Sequence, residues 1–489
     1  MRYFCLLVCL VSLAWANDLR LRNLDRLDPQ TLGVSVSWAN SWRFDSAQAP
    51  GNHDAVWLFG KYRVAGGPWQ PLRFDSTAGQ HYNPAGLVEV VSVADGQGVF
   101  VRRNVPGTGE IAPKGLVLFL AQALPPNVSD LTLMGLEMVW VPRGPYWLGD
   151  SSSFHHFRRP SDGGPFAVNS EAAIASSALS VGSEASLGGD LPANYPKGYA
   201  GFYAMKYELS QAQYRDFLNL LTYEQQVART AASPGAATGT YALAASQGFP
   251  QRNGLVIAQP GSPGQPAVYA CEANPDGLLD QPDDGQTRAC SFLNWGDLLA
   301  YLDWAGLRPL TELEYEKACR GPAYPLPGGF AWGTAQAVDA NTVLNDGLPT
   351  ETVSEQATAT AGLASHGYAG PSGPLRVGFG GGASSDRLQI GGSYYGLTEL
   401  SGNLWELCVG VGEAALGYQG GHGNGQLDAD GAADVPGWPG SSGGMHRGGA
   451  HNSGIVGDFR DLAVSDRFYW DLLPNQRRNT TGGRGGRGL

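Results

Sequence analysis

The sequence predicts an α+β fold: an N-terminal β-sandwich followed by a second domain rich in irregular loops. Three observations carry this. Short runs of alternating apolar and polar residues recur through residues 17–128 at sandwich spacing. Three helices farther along carry complete sequence signals for their starts. The 70 glycines and 32 prolines among 489 residues point to long ordered loops in place of further helices.

Residues 1–16 have the pattern of a secretory signal peptide. Arg2 gives the positive start, Phe4 to Leu13 the apolar run, and Ala14-Trp15-Ala16 a small-x-small cleavage site before Asn17. The run is too short to span a bilayer, and no later stretch approaches 18 apolar residues. The expectation is therefore an exported chain without a membrane span, secreted and extracellular or at the cell surface, with the periplasm as the alternative. Cys9 has too little apolar sequence before it to serve as a lipid-anchoring cysteine.

The strand candidates of the 17–128 module are Leu32–Trp38, Ala55–Tyr62, Gly98–Arg102 and Gly115–Leu120, separated by Gly, Pro, Asn and Asp. Pro125-Pro126-Asn127 reads as a linker to a second domain, 129–489. Ser210 with Gln213 forms a capping box, stapled by Leu209 and Tyr214, and Tyr214, Phe217, Leu218 and Leu221 share one face. Asn294 with Asp297 starts a second helix, which Gly306 stops. Thr311 with Glu314, stapled by Leu310 and Tyr315, starts a third that ends at Arg320-Gly321. Each cap is worth about 1 kcal/mol.

Net charge is −12, yet only 16% of residues are charged and no Lys/Arg stripe is present. Nothing here meets a phosphate backbone, so no nucleic-acid partner is expected. Six cysteines less two in the leader leave Cys271, Cys290, Cys319 and Cys408. In an exported chain Cys271 and Cys290, flanking one polar loop, are the expected disulfide. Cys319 and Cys408 are either a second bridge or buried free thiols.

The line Gly396–Cys408, GLTELSGNLWELC, sets Glu399 and Glu406 around a Ser-Gly-Asn turn. Two carboxylates about a turn of inward carbonyls suit an all-oxygen cage for a hard cation such as calcium. This line resembles the Gly-Asn-Val-Trp-Glu-Trp motif of the formylglycine-generating, sulfatase-modifying factor family. Trp295–Gly321, WGDLLAYLDWAGLRPLTELEYEKACRG, is similar to a second signature of that family, with Pro309-Leu310 inverting the usual order. Glu137–Gly149 resembles its entry strand. The resemblance covers about residues 135–489 and implies a variant of the C-type lectin fold. It also implies calcium held by the side chains of Glu399 and Glu406 and the carbonyls of Gly402 and Leu404. Glu399 is longer than the family's Asn or Asp there, and a second calcium position would fall near Asn341 and Thr342.

The same resemblance bears on catalysis. The family's oxidases bind copper through a cysteine pair just after an Arg-Gly-Gly-Ser stretch, and copper in that state needs soft ligands. Here the stretch is Arg447-Gly-Gly-Ala450-His-Asn-Ser453, with Ser453 and Asp458 near the two cysteine places and no cysteine after Cys408. No copper is expected. A related branch uses iron on three histidines; His422, His446 and His451 share one glycine-rich region as candidates for a metal. Serine-nucleophile elbows, dinucleotide fingerprints and P-loops are absent.

Two acidic loops, one with Asp276, Asp280 and Asp284, the other with Asp428, Asp430 and Asp434, read either as calcium loops or as turns that favour Asp. Arg308, Glu312 and Glu316 read as an ion network at a helix start. The tail 464–481 is rich in aromatics and Arg. Its layout resembles the ligand-binding variable proteins of diversity-generating retroelements, so His451, Phe468, Tyr469, Trp470 and Arg477 are candidate ligand-recognition residues; core filling is the other reading of those aromatics. The function expected is non-catalytic recognition or surface assembly, with a protein or glycan ligand, self-assembly or a homo-oligomer. The alternatives are a metal-dependent oxidoreductase and a structural subunit of an extracellular filament or surface layer.

Overall fold

The computed structural model describes residues 8–9, 18–45, 51–152, 156–182, 187–243, 250–367, 370–381, 386–453, 459–468 and 474–489. The expected leader falls outside them except for the backbone of Val8–Cys9. Strand accounts for 31% of the chain and helix for 10%, so the α+β class holds at that coarse level.

One long strand organises the molecule. Val128–Val141 pairs antiparallel with Asp54–Val64 along nearly its whole length, from Asp54 opposite Val139 to Val64 opposite Val128. Its other edge pairs with Phe202–Met205. The main path of this nine-stranded sheet runs Arg308–Pro309, Gly485–Gly488, Phe202–Met205, Val128–Val141, Asp54–Val64, Val99–Arg103 and Val88–Ser92. Position 128/129 is thus the first step of a strand hydrogen-bonded on both sides. Pro125-Pro126-Asn127 is a tight turn into it, with the Val128 N–H donating to the Pro125 carbonyl.

Strand alternation explains how the sheet is covered on both faces. Leu131 and Leu133, with Val56 and Leu58 across the ladder, pack against Val34, Val36 and Trp38 of a three-stranded sheet. That sheet is formed by Arg20–Asp28, Thr31–Arg43 and Gly107–Phe119. The even positions Met134, Leu136 and Met138 join Trp57 and Phe59 in the larger core, packed on helices. Each large side chain so buried contributes about 1.5–3 kcal/mol of transfer free energy.

The helices begin where the local chemistry places them. α1 (Gln211–Leu218) is capped by Ser210, α3 (Trp295–Trp304) by Asn294 and α4 (Glu312–Arg320) by Thr311, each with its reciprocal box intact. α2 (Tyr223–Arg229) carries a fourth box, Thr222 with Gln225. α3 stops at Ala305, where Gly306 supplies a φ of 69°. Among the described residues no helix is long and apolar enough to cross a membrane.

The N-terminal strands are tied to the rest by buried polar contacts. Trp57 Nε1 donates to the Ala305 carbonyl at 2.8 Å, and Lys61 Nζ donates to the carbonyls of Trp304 and Gly425, each at 2.6 Å. The carboxyl end lies deeper still. Gly485–Gly488 slides between Phe202–Met205 and Arg308–Pro309, where a Cβ on Gly486 would sit 2.5 Å from Leu310 and 2.7 Å from the Tyr203 carbonyl.

The expected Cys271–Cys290 disulfide is not formed. Both are free thiols fully buried in the main core, acting as small apolar residues, and Cys319 and Cys408 are likewise free and buried. Burial pushes the Cys271 thiol up to about 12.

Candidate functional site

The Gly396–Cys408 line forms a tight bend leading into the strand Trp405–Val409. Glu399 and Asn403 both adopt left-handed backbone, with φ of 57° and 67°, and Gly402 between them has φ 105°. Asn tolerates that region; Glu does so at a cost of about 1 kcal/mol. Surrounding bonds hold it there. Glu399 Oε1 accepts from the Gly378 N–H at 3.0 Å and Oε2 from the Thr398 hydroxyl at 2.5 Å. Asn403 accepts from the Leu375 N–H at 2.8 Å and donates to Glu208, whose other oxygen accepts from the Leu404 N–H at 3.0 Å.

The two carboxylates do not converge on an open cage. Glu406 is taken by Arg484, whose Nε lies 2.8 and 2.9 Å from its two oxygens, and Arg484 also donates to the carbonyls of Met205, Lys206 and Thr398. A cation at Glu406 would have to displace that guanidinium, so this arrangement does not fit a calcium ion. Burial pushes the Glu399 carboxyl up to about 7 and raises Glu406 as well, the latter against the pull of Arg484. Glu208 rises well above the ordinary range, through burial first and then the nearby Glu399 and Glu406.

The remaining predicted residues are scattered. Asp276 accepts from the Leu278 N–H, Asp280 from the Cys271 N–H and Arg215, and Asp284 from the Gln281 N–H. Asp428 accepts from the N–H groups of Asp430 and Ala432, and Asp434 from the Asn424 amide. These are bonds within and around the loops. Among the described residues no group of three or more His, Cys, Asp or Glu side chains is placed to hold a metal ion. His422, His446 and His451 do not come together as a triad. His422 accepts from the Gly488 N–H at 3.0 Å, His446 lies edge-on to Trp405, and His451 contacts the Asn479 carbonyl at 3.3 Å. Burial lowers His422 and His446 to about 3 and His451 to about 4.

In the tail, Arg477 grips the buried Asp297 of α3 at 2.7 and 2.8 Å, so its charge serves the helix. Phe468 is 52% exposed. Tyr469 and Trp470 lie outside the described residues, as does Asp458. Ser453 is buried in a closed turn: its hydroxyl accepts from the Ala450 N–H at 2.7 Å and donates to the Ala450 carbonyl at 2.9 Å. Beside it, Arg447 spans Glu312 and Glu316 at 3.0 and 2.7 Å, and Arg467 joins Glu312 at 2.6 and 2.9 Å. The Glu312–Glu316 cluster is therefore a fully buried ion network fixing the start of α4. Arg308 pairs separately, with Glu314.

The sequence reading missed a concavity. A cavity of about 560 Å³ lies where the N-terminal strands meet the loop leading to Glu399. Trp42, Phe44, Tyr207, Tyr394 and Tyr395 supply its rings, and Lys206, Arg376 and Arg387 its charges. Asn52 clasps the two sides, accepting from Trp42 Nε1 at 3.2 Å and donating to the Tyr395 carbonyl at 2.7 Å. Trp42 and Tyr394 stand about 350 residues apart in the chain, so no local signal announced them.

The model of the sulfatase-modifying factor enzyme 1-like domain matches residues 129–452. No curated protein matches the chain.

Proposed function

The chain belongs to the sulfatase-modifying factor family, and on that scaffold we propose an exported, non-catalytic binding protein. In this reading residues 1–16 are the leader, 17–128 a β-sandwich module and 129–489 a C-type-lectin-like domain; a protein or glycan is the ligand. The observation that carries it is Ser453. Where the family's copper chemistry needs a thiol, this chain has a hydroxyl closed into a turn with Ala450. A hydroxyl is a poor ligand for a soft metal. The four core cysteines do not substitute for it: all are buried, and burial raises Cys319 to about 12 and Cys408 well above its ordinary value, away from the reactive thiolate.

The test has two arms. Copper-treated protein is incubated with a cysteine-containing peptide of the kind the family modifies, and the peptide is followed by mass spectrometry. No aldehyde is expected; formylglycine formation refutes the non-catalytic half. Glycan and peptide arrays are then probed with the full chain. Saturable binding to a defined class is expected, and silence on both arrays removes the binding half.

A further inference from the structure

We propose that the cavity between Trp42 and Tyr394 binds a carboxylate carried on a ring, resting on the binding reading above. Its size falls within the range of about 300–1,000 Å³ usual for small-molecule sites. Its charge is one-sided: Lys206, Arg376 and Arg387 line it, and among the lining residues there is no Asp or Glu. Surfaces of one sign set in low-dielectric walls concentrate the opposite ion.

The two arginines are oriented by carbonyls of the wall, whereas Lys206 is ion-paired with Glu137 behind it. Arg376 donates to the carbonyls of Glu351, Val377 and Gly378 at 2.7, 3.2 and 2.8 Å. Arg387 donates to the carbonyls of Gly392 and Ala331 at 3.0 and 2.6 Å. Carbonyl oxygens orient a guanidinium and leave its net charge in place. Lys206 is the sharper case. It is only 4% exposed, and its Nζ has no hydrogen-bond partner. Glu137 forms an ion pair with it at 3.6 Å, longer than a hydrogen bond, and the rings of Trp42 and Tyr207 sit at 4.8 and 5.4 Å. A buried ammonium short of an acceptor is costly, and an entering carboxylate oxygen supplies one.

The rings define the rest of the ligand. Trp42, Phe44 and Tyr394 are half-buried and line the cavity. Aromatic faces stack on flat rings and on the apolar face of a sugar. Two sources share the chemistry, an acidic saccharide and an aromatic acid.

Isothermal titration of the full chain with digalacturonate, with 4-hydroxybenzoate and with neutral lactose distinguishes them. Saturable binding of one or both acids but not of lactose is expected, and the acid that binds identifies the source. Lys206→Met should weaken it by roughly tenfold or more, the worth of a charge-assisted hydrogen bond. Thr108→Trp, at an exposed rim position, should block entry without touching the core, and it keeps the test valid if Lys206→Met fails to fold. Wild type that binds neither acid overturns the inference. Acid binding untouched by Thr108→Trp also overturns it, since the ligand then sits elsewhere. Array binding that survives Thr108→Trp leaves the general binding function standing while this cavity fails.

Discussion

Arg484→Met separates a structural role for Glu406 from a metal-binding one. Both residues are 1% exposed; Arg484 Nε lies 2.8 and 2.9 Å from the two Glu406 oxygens and its Nη2 2.6 Å from Oε1. Removing one partner of such a pair leaves an uncompensated buried charge, a loss of about 3–5 kcal/mol. Three carbonyls, on Met205, Lys206 and Thr398, lose a donor as well. Protonation of Glu406, already favoured by burial, limits the total, so about 4 kcal/mol is expected, against a whole-domain stability of roughly 5–15 kcal/mol. Urea unfolding followed by tryptophan fluorescence at neutral pH reads it. The double variant Arg484→Met/Glu406→Leu should recover at least about 2 kcal/mol, because no charge is then stranded. Running each titration with chelator and with millimolar calcium adds the second test. Calcium should leave the wild-type midpoint unchanged. A loss under about 1 kcal/mol in Arg484→Met, or a calcium-dependent gain that Glu406→Gln abolishes, refutes the ion-pair account.

Further outcomes follow from the same contacts. Because Val128–Val141 is laddered on both edges, calorimetry should show one unfolding transition; separate transitions for the N-terminal strands and the family domain would contradict it. Within that transition Lys61→Met should cost about 1–3 kcal/mol, since the carbonyls of Trp304 and Gly425 lose their donor. A chain starting at Asn17 should release four titratable thiols in denaturant and almost none when native; two in denaturant without reductant would indicate a disulfide. Glu399 makes stability pH-dependent. Its carboxyl is raised from 4.5 to about 7, so its contribution is complete below about pH 4.5 and is lost as pH rises through about 7. At about 1.36 kcal/mol per unit this amounts to about 3 kcal/mol. Glu399→Gln should therefore gain that much relative to wild type between pH 4.5 and 8; a constant difference rejects the shift.

How much of this was legible depends on the range of each interaction. The caps at Ser210, Asn294 and Thr311, and the stops at Gly306 and Gly321, are settled within four or five residues and were readable from the chain alone. The Thr222–Gln225 box obeyed the same rule and was overlooked. Thr31–Arg43 showed in its alternation and Asp54–Val64 in a continuous apolar run that is buried on both faces. The pairing of Asp54–Val64 with Val128–Val141 did not, because register between residues 64 to 85 apart in the chain leaves no local mark.

The site suffered most from this limit. Glu399 and Glu406 looked like cation ligands because a sequence displays carboxylates and hides their partners. Arg484 lies 78 residues from Glu406. One signal did point the right way. The tail GGRGGRGL sets two arginines among glycines, and glycine in a strand marks close backbone approach. An arginine carried on such a strand is drawn inside with it and must find an acceptor there. Arg484 reaches Glu406 and Arg487 reaches Asp95. Glycine context thus distinguishes a buried structural arginine from a surface recognition one, and the same test places Arg447, which precedes Gly448 and Gly449, in the core with Glu312 and Glu316.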